Sequence, residues 1–147
     1  MQTPGFLLWR VSTQWRAAAD RALADLGLTH AQYSLLASLY GLSRTGATPT
    51  QRELADYTGL EPIYVSKLAR ALERDGLLAR TEHAADARAV QLRLTQRGRQ
   101  VIEPAIARIA ALHDELTGPL GGLGGERTRE LMDLLRALLH PGKGAQS

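Results

Sequence analysis

The sequence contains no cysteine, which excludes disulfide bonds, thiolate metal ligands and redox sensing through a thiol. Aromatic residues make up only 5% of the chain, and no apolar run approaches the ~20 residues that a membrane-spanning helix needs. The chain does not open with a basic and then apolar leader, which predicts that it is not secreted. These absences favour a globular protein that stays in the cytoplasm and does not bind a membrane.

Residue types that commonly form catalytic or metal sites are either scattered along the sequence or missing. The four histidines, His30, His83, His113 and His140, show no pair at the spacing of metal ligands. The glycine-rich run at 118–125 lacks the Lys-Ser/Thr of a phosphate-binding loop and lies between two predicted helices. We therefore predict no catalytic residue, no metal site and no cofactor. The chain is not expected to be an enzyme.

Apolar residues recur at helical spacing through most of the chain. The predicted helices run over about 5–26, from Thr29 to about Tyr40, from Thr50 to Gly59, from Pro62 to about Asp75, from Thr95 to about Leu116 and over 126–140. Alternation at Val90, Leu92 and Leu94 predicts a strand, with its partner over 77–82 and a hairpin tip over 83–88. The run at 118–125 is predicted to be a flexible loop, and residues 141–147 a disordered tail.

The helix that begins at Pro62 has two contrasting faces. At about 100° per residue, one side carries Val65, Leu68, Ala69 and Leu72. The opposite side carries Ile63, Lys67, Arg70 and Arg74, with Ser66 at its flank and Tyr64 at the boundary. The short capped helix before it completes a helix-turn-helix pattern. Cations suit phosphates and guanine edges, and an apolar side chain suits thymine methyl groups. A solvated basic face remains the alternative.

The predicted hairpin supplies a second basic group. Arg88 lies near the tip and could enter the narrow minor groove, where the negative potential is concentrated. Asp86 would repel phosphate, so we expect it to hold Arg88 or the turn. An Asp-x-Arg sequence alone is more often a surface ion pair, and only its place after a helix-turn-helix favours a role in binding.

Several motifs in this region resemble one known family. They are Leu54-Ala55, Gly59-Leu60, Val65-Ser66-Lys67-Leu68, the run from Leu72 to Arg80, Asp86-Ala87-Arg88 and the run from Leu92 to Gly98. Together they resemble the MarR family of bacterial winged-helix transcriptional regulators, and residues 28–36 are similar to that family's second helix. One position departs from the pattern, because Ala87 stands where the family often has a basic residue.

The resemblance implies a mainly α fold with a small β-hairpin: a winged helix-turn-helix with N- and C-terminal helical dimerisation arms. The whole chain, 1–147, would be a single MarR-type domain with its core at about 29–98 and its arms at about 5–26 and 96–140. It further implies a homodimer on a pseudo-palindromic operator of double-stranded DNA, acting as a repressor released by a small-molecule effector. A small aromatic or phenolic ligand fits the family, but no effector-binding residue is assigned.

The resemblance also implies which residues contact DNA. Thr50 and Gln51 would meet the DNA backbone, and Arg88 would be the wing arginine with Asp86 as its support. The recognition helix would contribute Pro62, Ile63, Tyr64, Ser66, Lys67 and Arg70, and its basic face adds Arg74. The alternative is a winged-helix dimer that binds a protein partner and not DNA.

Overall fold

The computed structural model describes residues 2–83 and 86–142, apart from the side chains of residues 83 and 86–88. Within that part, six α-helices and two antiparallel strands form a mainly helical fold, which confirms the predicted fold class. The helices are α1 (Pro4–Leu23), α2 (His30–Ser43), α3 (Gln51–Thr58), α4 (Pro62–Arg74), α5 (Gln96–Leu116) and α6 (Glu126–Leu139). The strands, β1 (Leu78–His83) and β2 (Asp86–Leu94), lie between α4 and α5.

Local hydrogen bonds explain where the helices begin and end. The Thr29 hydroxyl accepts from the Gln32 amide, and the Gln32 side chain accepts from the Thr29 amide, so a reciprocal cap starts α2. Thr50 starts α3 by accepting from the Glu53 amide at 3.1 Å. Gly59 ends α3 with a φ of 74°, a left-handed conformation that favours glycine. The predicted helix boundaries are therefore confirmed to within a few residues.

The hairpin is longer than the sequence predicted. Leu78 pairs with Leu94 and Arg80 pairs with Leu92, and after a shift in register between Thr81 and His83 the last pair is His83 opposite Asp86. The predicted tip over residues 83–88 was therefore wrong, because His83 and Asp86–Arg88 belong to the strands. Antiparallel pairing continues past the last apolar alternation because the ladder uses backbone groups and needs no apolar side chain.

The chain divides into two compact units, residues 1–108 and residues 109–147. In the first unit, α2, α3, α4 and the hairpin bury leucines between them, among them Leu35, Leu54, Leu72 and Leu92, each with no exposed surface. Burying one such side chain stabilises the fold by ~1.5–3 kcal/mol. This core fixes α4 against the hairpin and leaves the outer side of α4 exposed.

The junction between the hairpin and α5 is tightly packed. The Thr95 hydroxyl accepts from the Gly98 amide at 3.0 Å and donates to the Gly76 carbonyl at 2.6 Å, so Thr95 caps α5 as predicted. A Cβ atom on Gly98 would lie 1.9 Å from the Leu77 carbonyl oxygen, far inside van der Waals contact. Only glycine therefore fits at this position without movement of the backbone.

In the second unit, the predicted flexible loop is a hydrogen-bonded turn. Residues 118–120 form a 3₁₀ turn, and Asp114 accepts from the Leu123 amide at 2.9 Å. The buried Thr128 hydroxyl donates to the Gly122 carbonyl at 2.6 Å. A Cβ atom on Gly125 would lie 2.4 Å from the Leu120 carbonyl oxygen. These glycines are therefore needed for close packing and for left-handed backbone conformations. Composition alone cannot tell such glycines from those of a flexible loop.

Candidate nucleic-acid interface

The two faces of α4 differ in exposure as the helical wheel predicted. Val65, Ala69 and Leu72 have no exposed surface, and Leu68 is also buried. Lys67, Arg70 and Arg74 are exposed, and Ser66 is partly exposed at their flank. The buried face holds the helix on the core, so the exposed cations are carried on a rigid element.

The start of α4 presents apolar groups to solvent. Pro62 occupies the first helical position, where its missing N–H costs no hydrogen bond. Ile63 is 75% exposed and Tyr64 is 44% exposed, although both are large apolar side chains. Keeping such side chains in water is unfavourable relative to burial, so this end of α4 is suited to contact a partner.

A basic groove of about 580 Å³ lies beside α4. It is lined by Lys67, Arg70, Arg74 and Arg80, together with the carboxylate of Glu73. Four cations around one carboxylate attract an anion such as a phosphodiester. Arg80 was not among the residues predicted from sequence. Leu78 and Arg80 share one face of β1, and Leu78 is buried. An arginine that alternates with a buried leucine could have indicated this position.

The Thr50 and Gln51 side chains at the start of α3 already have partners within the protein. The Thr50 hydroxyl accepts from the Glu53 amide and donates to the Glu53 carboxylate at 3.2 Å. The carbonyl oxygen of Gln51 accepts from Arg80 Nε at 3.1 Å. A DNA contact from this end of α3 must therefore use groups that these bonds leave available, such as the Gln51 amide hydrogens or backbone N–H groups of the first turn.

For the two predicted wing residues, Asp86 and Arg88, the structure describes the backbone only. The backbones of Asp86 and Arg88 lie in β2, whereas their side chains lie outside the part of the chain that the structure describes. The minor-groove role of Arg88 and the supporting role of Asp86 therefore remain predictions.

A second cavity lies away from the basic groove. It measures about 450 Å³, and its walls include Arg16, Asp20, His30 and Tyr64. The Asp20 carboxylate accepts from the His30 amide at 2.7 Å and so joins α1 to the start of α2. Close by on α2, burial raises the pKa of Tyr33 above its ordinary value, so this hydroxyl stays protonated at neutral pH.

The described residues contain no candidate for a metal-binding group or a membrane-spanning helix. No group of three or more His, Asp or Glu side chains among them is placed to hold a metal ion. Likewise, none of the helices in the described part is both long enough and apolar enough to cross a bilayer.

Comparison with known proteins defines the class. Residues 26–89 match the model of the MarR family. YdcH of Bacillus subtilis (strain 168), an uncharacterized HTH-type transcriptional regulator, is 36% identical over 104 residues, which cover 71% of each chain. The chain belongs to the MarR family of transcriptional regulators.

Solved structures agree with this assignment. A MarR-family transcriptional regulator from Rhodococcus sp. RHA1 has a TM-score of 0.79 at 28% identity, with 96% of this chain and 99% of that chain covered. MepR of S. aureus, solved as a complex with DNA, has a TM-score of 0.78 at 26% identity, with 95% and 96% covered. The predicted family and winged-helix fold are thereby confirmed.

Proposed function

We propose that this protein regulates transcription by binding a specific site on double-stranded DNA as a homodimer, and that it acts by binding and not by catalysis. The observation that carries the proposal is the exposed face of α4, where Ile63, Lys67 and Arg70 stand opposite a fully packed apolar face. A helix of this kind fits the major groove of B-DNA. The similarity to MepR, solved with DNA, supports the same use of the fold.

Each predicted contact has a proposed role. Lys67, Arg70 and Arg74 would bind phosphates or guanine edges, and Ile63 would contact a thymine methyl group. The remaining proposed contacts are Thr50, Gln51, Pro62, Tyr64 and Ser66, with Arg88 in the minor groove and Asp86 as its support. Thr50 acts chiefly as a helix cap in this assignment, since its hydroxyl is bonded to Glu53.

A second copy of the chain would cover the apolar surface of the terminal helices. In the first unit, α1 exposes a cluster of large apolar side chains that includes Leu7, Leu8 and the 63% exposed Trp9. In the second unit, α6 exposes Leu134, Leu138 and Leu139. We assign residues of about 5–26 and 96–140 to the dimerisation arms and about 29–98 to the core. A two-fold pair would present two α4 helices to half-sites about one turn of DNA, ~34 Å, apart.

We further propose a repressor that works in the bacterial cytoplasm and is released by a small molecule. The 450 Å³ cavity supports this proposal because Arg16, His30 and Tyr64 lie in its walls and Tyr64 belongs to α4. An aromatic or phenolic ligand there would touch the helix that we assign to DNA recognition. Its occupation would therefore be coupled to the position of α4.

A gel-shift experiment with fragments of genomic DNA tests the proposal. The protein should retain a small set of fragments in the presence of competitor DNA, and their affinity should fall steeply between two salt concentrations. A winged-helix dimer that binds only a protein partner would retain no fragment under either condition. That result would overturn the proposed function.

A further inference from the structure

Arg80 is a charged side chain on the inner face of the hairpin. In β1 it follows Leu78 on the same face, and it pairs with Leu92, which has no exposed surface. The Arg80 side chain is only 16% exposed. A charged side chain with so little exposed surface needs acceptors within the protein to offset its lost hydration.

Those acceptors come from two other elements. Gln51, the first residue of α3, offers its side-chain oxygen to Arg80 Nε at 3.1 Å. Glu73, near the end of α4, accepts from the Arg80 backbone amide at 3.2 Å, and its other oxygen lies 3.8 Å from the guanidinium. Arg80 thus joins the start of α3 and the end of α4 to β1.

The bond between Arg80 and Gln51 fixes the orientation of the Gln51 carboxamide. The Nε–H group of arginine can only donate, so the oxygen of the Gln51 carboxamide must face Arg80. The NH₂ group of Gln51 then forms the other arm of the carboxamide, and it can only donate. Phosphate oxygens can only accept, so this orientation is the one that a DNA backbone requires.

We propose that Arg80 is a positioning residue for DNA binding, which holds the Gln51 carboxamide with its NH₂ group directed at a backbone phosphate. This inference rests on the proposed function and extends it to a residue outside the predicted contact set. In this proposal Arg80 acts through Gln51, because its side chain is only 16% exposed and its Nε–H group is already bonded to the Gln51 oxygen.

The test is a double-mutant cycle measured by fluorescence anisotropy. The probe is a labelled genomic fragment that the wild-type protein retains in the gel shift. Arg80→Met and Gln51→Ala should each weaken binding about fivefold, the effect of one lost hydrogen bond. The double variant should be no weaker than the weaker single variant, since both changes remove the same contact. The salt slope should stay constant, because a neutral amide releases no counterion.

Two further variants make the test specific. Gln51→Glu keeps an acceptor for Arg80 but replaces the outward donor with a carboxylate oxygen, so binding should fall at least tenfold while the melting temperature is kept. Arg93→Met removes the same charge from β2 at an exposed position paired with Ala79, and it should change affinity less than twofold.

Four results would overturn the inference. Additive losses in the cycle would show that Arg80 acts independently of Gln51. A salt slope lowered by about 1 in Arg80→Met would make Arg80 a direct phosphate ligand. If Arg80→Met does not fold, the test rests on Gln51→Glu alone. An unchanged DNA affinity of Gln51→Glu would then refute the proposed orientation of the Gln51 carboxamide. A wild-type protein that binds no fragment would instead refute the proposed function, and this inference with it.

Discussion

The exposed face of α4 differs in chemistry from the exposed faces of α1 and α6. The α4 face carries Lys67 and Arg70 beside the isolated apolar side chain of Ile63. The α1 and α6 faces are apolar, with Trp9 and Leu134 more than half exposed. A charged face can stay hydrated until it meets an anion, whereas an apolar face favours burial as soon as a partner exists. The two kinds of surface therefore predict different partners and different responses to salt.

The largest effect is expected from breaking the apolar surface. Leu134→Glu combined with Leu138→Glu places two carboxylates on the exposed face of α6. We expect sedimentation to show a monomer, and DNA affinity to fall about 1,000-fold because one protomer reaches only one half-site. Arg129→Glu also adds an acid to α6, at a position that is polar already, and should leave the dimer intact. A dimer that survives the double substitution would place the interface elsewhere.

A smaller loss is expected from the basic surface. Lys67→Gln combined with Arg70→Gln should weaken DNA binding about 100-fold and lower the salt slope by about 2, because two phosphate contacts are lost. The dimer and the melting temperature should not change, since both side chains are exposed. Arg127→Gln with Arg129→Gln removes the same charge from α6 as the control. Equal effects in the two variants would mean that net charge, and not the α4 face, drives binding.

Trp9→Ala tests whether α1 belongs to the same kind of surface as α6. Truncation of an interface tryptophan typically costs ~2 kcal/mol, so the dimer dissociation constant should rise about 30-fold. Analytical ultracentrifugation over a dilution series measures this constant. The salt slope of DNA binding should be unchanged when the protein is held above the new dissociation constant. An unaltered dimer would remove α1 from the interface.

The smallest effect concerns the apolar residue on the basic face. Ile63→Ala should weaken binding about fivefold without changing the salt slope, because a thymine methyl contact involves no counterion. Fluorescence anisotropy at three salt concentrations separates the two quantities. Substituting uracil for thymine in the probe should reproduce the loss in the wild-type protein and add nothing in the variant. If Ile63→Ala also changed the salt slope of DNA binding, Ile63 would have a role other than an apolar contact with thymine.

The sequence predicted those features that depend on local pattern. Caps at Thr29 and Thr50, the glycine ends and the two faces of α4 all follow from neighbours a few residues apart. The contact of Arg80 with Gln51 joins residues 29 positions apart, and no local periodicity encodes it. The prediction that residues 118–125 form a flexible loop failed for a related reason. A high glycine content indicates backbone flexibility unless the atoms packed against those glycines are known. Contacts between residues far apart in sequence thus determine the features that local sequence patterns do not predict.

The contact between Gly98 and the Leu77 carbonyl has a mechanical consequence. The first turn of α5 lies so close to the backbone that links α4 to the hairpin that no side chain fits at Gly98, and Thr95 bonds the same link at Gly76. Close packing and a hydrogen bond at one joint favour coupled movement, so we expect a tilt of the first turn of α5 to displace the end of α4. A signal that moves either helix would therefore reach the other without any intervening flexible segment.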